Sequence, residues 1–140
     1  MSLQTSLIHS TAVEMLKPAV RATTGGAITS TWIDLRQYHG VVAIVFHACK
    51  SSAGTGVSLV GKIVESLTSG GTPNDYVDPQ GVTAAFAAVD EVTDPGPLTI
   101  FVDSAATKGW IAFVGTPTGT SGSWIYGVSL RGNKKTFAPA

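Results

Sequence analysis

Charge is scarce in this sequence. Only 13% of its 140 residues are Asp, Glu, Lys or Arg, about half the usual share of roughly 25%. A surface with so few charges is expected to lie against another subunit rather than face water everywhere. The formal net charge is zero, so there is no excess of Lys and Arg to neutralise phosphates, and nucleic acid is not an expected partner. Cysteine is almost missing. Cys49 is the sole one, which excludes an internal disulfide or a cysteine metal cluster. It is expected to be a buried small hydrophobe. No apolar run approaches the ~18 residues of a membrane helix. The opening Met1-Ser2-Leu3-Gln4-Thr5 lacks the basic and apolar stretches of a signal peptide. The chain is therefore expected to be made in a cytoplasm and to stay soluble until it assembles.

What is present points to strands. Hydrophobic residues make up 44%, and 16 glycines and 7 prolines break them into short runs, the pattern of strands and turns. The length fits one domain. Trp32 to Leu35 reads as a first strand. Val41 to Ala48 is a second, apolar on both faces and so expected to be central and covered on both sides. Val57 to Ser66 alternates, with Val57, Leu59, Gly61 and Ile63 on one face. Thr68 to Gly81 reads as a long loop. Val82 to Val89 is apolar but alanine-rich, which leaves strand and short helix both open. A turn at Thr93 to Pro97 precedes strands at Leu98 to Asp103 and Gly109 to Val114. Along the last strand Trp124, Tyr126, Val128 and Leu130 point one way. Six or seven strands at this spacing predict an all-β fold, a single antiparallel β-sandwich or barrel of jelly-roll-like form, over residues 31–132.

Residues 1–30 lack this alternation. Thr11-Ala12-Val13-Glu14 fits a capping box, and Pro18 ends any helix there after one or two turns. Small residues from Ala22 to Ser30 follow. The segment is expected to be an extended N-terminal arm with apolar hooks at Leu3, Leu7, Ile8, Val13, Met15 and Leu16 that bind a partner. Residues 133–140 are expected to form a loose tail.

Residues that carry chemistry are not gathered into any recognisable motif. His9, His39 and His47 have no metal-ligand spacing. His47 and Cys49 share a face of the second strand, but a structural histidine is the expected role. Gly54-Thr55-Gly56 lacks the lysine and helix of a phosphate loop. Asp75, Asp78, Asp90, Glu91, Asp94 and Asp103 fit no calcium loop. Trp32, Trp110 and Trp124 alternate in phase with aliphatics, which favours core or subunit interface over a glycan platform. No enzyme, cofactor or metal site is expected. Charge is segregated along the chain: net +3 for residues 1–62, −7 for 63–107 and +4 for 108–140. Acidic loops of one copy facing basic ends of another would use this segregation.

Trp32-Ile33-Asp34-Leu35-Arg36-Gln37-Tyr38 before an apolar strand resembles the opening of small β-sandwich virion proteins of tailed bacteriophages. The strand Trp110-Ile111-Ala112-Phe113-Val114-Gly115 and the closing strand Trp124 to Gly132 extend the resemblance over residues 30–132. Glu65 to Gly71 departs from the family's Ser-Asp-Asp-Gly turns. The resemblance implies a structural role on the capsid surface of a virion, as a cement or decoration protein that clamps neighbouring subunits. The implied partners are the major capsid protein and copies of the chain itself, taken as a trimer. A tail or neck component, and a receptor- or glycan-binding module, are the alternatives.

Overall fold

A computed structural model describes residues 10–52, 57–90 and 97–135 of the chain. Ten strands follow in order: β1 (Ser10–Ala22), β2 (Ile28–Thr29), β3 (Ile33–Asp34), β4 (Tyr38–Ser52), β5 (Ser58–Ser66), β6 (Asn74–Asp75), β7 (Val89–Asp90), β8 (Leu98–Asp103), β9 (Trp110–Thr118) and β10 (Ser123–Lys134). Among the described residues there is no α-helix, only three 3-10 turns. One sheet has the order β1-β10-β4-β8. The other runs β2-β9-β5-β6, with β3 also on β9 and β7 on β5. Every pairing is antiparallel. The fold is therefore an all-β sandwich of two sheets.

Alternation puts the core between them. Val42, Ile44, Phe46 and Ala48 of β4 face Leu59 and Ile63 of β5, with Trp124, Tyr126, Val128 and Leu130 of β10 alongside, all buried. Four aromatic rings hold the centre. Phe46 lies 5.1 Å from Phe113 and 5.2 Å from Phe86, and Tyr126 lies 6.5 Å from Phe113, measured between ring centroids. The Phe113 ring is laid across two glycines that face each other in the β5–β9 register, Gly61 and Gly115. A side chain at either position would occupy the ring's space.

The stretch 67–90 closes one side of the sandwich. It is mostly irregular, yet Tyr76, Phe86 and Val89 are buried. Backbone bonds from the Tyr76 amide to the Ile63 carbonyl and from the Phe86 amide to the Gly61 carbonyl tie it to β5. The alanine-rich run is thus neither a helix nor a full strand. It touches β5 through a single bridge, Ala85 to Lys62, and ends in the two residues of β7. Ser30 does a similar job across the other edge. Its buried hydroxyl accepts from the Phe113 amide at 2.9 Å and donates to the Thr31 carbonyl at 3.0 Å.

Three expectations are corrected. From Ser10 onward, the segment read as an arm over residues 1–30 is an edge strand of the four-stranded sheet, paired with β10 from Ser10↔Asn133 to Ala22↔Ser123. Thr11 and Glu14 therefore cap no helix. Hydrophobic burial decides the matter: Met15 fills the core at 1% exposure. Pro18 is tolerated because β1 is an edge strand and the ladder breaks there, between Leu16 and Ala19. Arg21 holds the break together, donating to the carbonyls of Lys17 at 2.8 Å and Ala19 at 3.2 Å within β1, and of Tyr126 at 2.7 Å across it. Second, β4 is covered on one face only, since Val41, His47 and Cys49 on its other face are exposed. Third, the last strand continues through Lys134, beyond the expected start of the tail at residue 133.

Candidate functional site

The outward face of the four-stranded sheet carries exposed apolar side chains among polar ones. In an antiparallel pair, residues directly opposite share a face, so the register defines its rows. Phe101, Ala43, Arg131 and Ala12 form one row. Thr99, Val45, Ser129 and Glu14 form the next, and Cys49, Ile125 and Val20 lie further along. Phe101 is 70% exposed, Val20 62% and Val41 58%. A sheet with one solvated face ordinarily carries polar residues there, and these three apolar side chains stand among Thr99, Ser129, Arg131 and Glu14.

A trough of about 620 Å³ runs through this face. It exists because β10 presents small residues outward, Gly127 and Ser129, between larger neighbours on β1 and β4. Glu14 and Pro18 stand on one side, and Val45, His47 and Cys49 on the other, with Ile125 in the floor. Gly127 is required here. A Cβ on it would stand 2.7 Å from Cγ of Pro18 and 3.1 Å from the Leu16 carbonyl oxygen, so the irregular part of β1 could not lie down on β10. The trough can take an extended or helical apolar segment, but it offers few polar groups to orient a reacting molecule.

The residues expected to bind a partner fall in different places. Leu3, Leu7 and Ile8 lie outside the described residues, as do His9, Gly54-Thr55-Gly56, the turn residues Thr93 to Gly96 with Glu91 and Asp94, and the tail from 136. Val13 and Leu16 are half-buried and line the trough. Met15 points into the protein's own core and has no surface to offer a partner. Cys49, expected to be buried, is exposed on the trough wall. His47 shares that wall two residues away. Among the described residues, no three His, Cys, Asp or Glu side chains come together as metal ligands would.

The tryptophans do not form a platform. Trp124 is buried in the core. Trp110 is half-buried at the other end of the sandwich, with the Arg36 guanidinium 5.8 Å from its ring centroid. Part of the acidic middle segment is engaged within the chain. Asp75 meets Lys62 at 2.7 Å. Asp78 accepts from the Gln80 and Val82 amides, Asp103 from the Ala105 amide, and Glu65 from the Lys108 amide. Of these, Asp78 and Asp103 cap local turns, an ordinary role of Asp.

A second hollow, of about 450 Å³, lies at the end of the sandwich and has Arg36, His39, Lys108 and Lys135 around it. Its Arg36 is paired with Asp34 at 2.9 Å. The hydrogen bonds that Arg36 donates hold the Asp34 carboxyl below the usual carboxylate range, with burial acting in the opposite sense. Inside the core, burial raises the Tyr126 phenol above its ordinary value, and the Arg21 cation beside it acts in the opposite direction.

No family model matches the sequence, and no curated protein matches it either. Several solved structures share its general shape. The chain is similar to a protein of infectious bursal virus derived T=1 particles, at 19% identity and a TM-score of 0.47, over 87% of this chain and 30% of that one. It is similar to the VP2 subviral particle protein of infectious bursal disease virus, at 14% identity and 0.44, over 87% and 32%. It is also similar to a chain of an expanded equine rhinitis A virus particle, a picornavirus capsid, at 10% identity and 0.49, over 93% and 77%. The chain thus spans about a third of the length of the bursal virus proteins. Likeness at this level carries no functional argument.

Proposed function

We propose that the protein is a structural component of a virion, a capsid cement or decoration protein of the tailed-bacteriophage type that clamps neighbouring capsid subunits. One observation carries this reading: the outward face of the four-stranded sheet holds an open apolar trough, and on the same face Phe101, Val20 and Val41 are each more than half exposed. Exposed patches of this kind mark contact surfaces between proteins. A sandwich with such a face suits a clamp, because the core is filled by the chain's own side chains and the exposed face gains from a partner. The resemblance of residues 30–132 to phage virion proteins supports the capsid as the place of contact. The partners are the major capsid protein and further copies of the chain, grouped as a trimer on the capsid surface. The role needs no catalysis and no cofactor.

The test is a size measurement of the purified chain, followed by co-sedimentation with empty capsids of the virus that encodes it. Binding to capsids at a fixed number of copies per particle is the expected result. A chain that stays monomeric and remains in the supernatant would overturn the proposal.

A further inference from the structure

We propose that the trough on β10 receives the N-terminal segment of a second copy of this chain, with Leu3 and Leu7 as the anchoring side chains. This inference rests on the structural reading above and names one contact within it. The trough is open, apolar and bounded by two strands of the same sheet, which fits a narrow apolar segment better than a flat protein surface. The chain carries such a segment. Met-Ser-Leu-Gln-Thr-Ser-Leu-Ile-His precedes β1, with no charged side chain before Glu14. Leu3 and Leu7 are four residues apart, so they share a face whether the segment binds as a strand or as a helical turn. An uncharged segment also meets no like charge in the trough, whose one carboxylate is Glu14.

Reach separates the same copy from another for Leu7 at the Cys49 end of the trough. Ser10 pairs with Asn133, while the far wall of the trough, at Cys49, is level with Ile125. Those eight residues of β10 span about 26 Å. Leu7 stands only three residues before Ser10, about 10 Å of fully extended chain. It cannot reach the Cys49 end of its own trough. A neighbouring copy has no such constraint.

Cys49 makes the contact measurable, since it is the sole cysteine and lies exposed on the trough wall. A Leu7→Cys variant of the full chain is purified, oxidised mildly at low concentration and separated without reductant. Linkage between the introduced thiol and Cys49 is expected, giving covalent dimers and longer ladders, with the linked peptide identified by mass spectrometry. Cys49→Ser in the same background removes it. Ser129→Trp fills the trough at an exposed position and is expected to abolish the linkage while leaving the melting temperature near that of the parent. Monomers only, dimers joined only through like positions, or linkage unaffected by Ser129→Trp would each overturn the inference. Capsid co-sedimentation of the same variants separates the two readings. Chain that binds capsids without the linkage sinks this contact and keeps the clamp. Linkage without capsid binding does the reverse.

Discussion

Replacing Gly61 with alanine should destabilise the sandwich although it adds only one methyl group. The new Cβ would stand 2.5 Å from Cε2 and 2.8 Å from Cζ of Phe113, and 3.3 Å from Cδ2 of Phe86. The Phe113 ring has nowhere to retreat, because its other side lies over Gly115 and against Phe46 and Tyr126. Overpacking of this kind costs about 1–3 kcal/mol. Alanine recovers roughly 0.5–1 kcal/mol of the backbone entropy that glycine loses in a strand. A net loss of about 1–2 kcal/mol remains, which for a chain of this size lowers the melting temperature by roughly 3–10 °C. Phe113→Leu alone should cost about 1–2 kcal/mol in lost contacts. Combined, the two should cost less than their sum by about 1 kcal/mol, since the methyl group then enters space the ring has vacated. Thermal and urea melts followed by circular dichroism read all three. A Gly61→Ala chain as stable as the parent, or strict additivity in the double variant, would refute the ring-over-glycine account.

Four further outcomes are expected. Ser30→Ala should cost about 1–3 kcal/mol, because it strands the buried Phe113 amide; an unchanged urea midpoint would contradict this. Tyr126→Phe should be neutral or stabilising, since the buried hydroxyl has no hydrogen-bond partner among the described residues. Because burial raises the folded phenol above 10.0, its stabilisation is complete below that pH and is lost as pH rises through the folded value, so the variant should flatten the alkaline arm of the stability curve. Arg21→Ala should loosen β1 ahead of the rest of the protein, seen as faster hydrogen exchange at residues 16–22; uniform exchange would show that Arg21 does not hold the break. Cys49 should react fully with a thiol reagent in native buffer, and protection until unfolding would contradict its exposed position.

The strands that were legible are those where inward and outward positions differ in hydrophobicity. β8 begins and ends at the expected residues, and the inward sets of β5 and β10 fall in the expected phase. β1 was hidden for a local reason. Its alternation is broken where the ladder shifts at Leu16 to Ala19, and Thr11 with Glu14 imitates a helix start. The wall formed by residues 67–90 was hidden because its buried side chains, Tyr76, Phe86 and Val89, sit singly among polar and small residues. The trough required knowing which strands flank β10. Gly127 and Ser129 are unremarkable in sequence, and become a channel only between β1 and β4. Cys49 was misplaced because an apolar run cannot say which of its faces is covered.

The strand next to both β1 and β4 comes last among the described strands of the sandwich. β10 completes the first sheet from residues 123–134, joining partners more than a hundred positions away in the case of β1. Contacts so distant in sequence make folding slow, in the range of milliseconds to seconds. On the ribosome, β1 must wait for the hundred or so residues that separate it from β10, with Met15 uncovered and its future partner not yet synthesised. The outward trough, floored by β10, comes into being only in that final step, so a nascent chain has no such surface and copies cannot capture one another through it before each has finished folding.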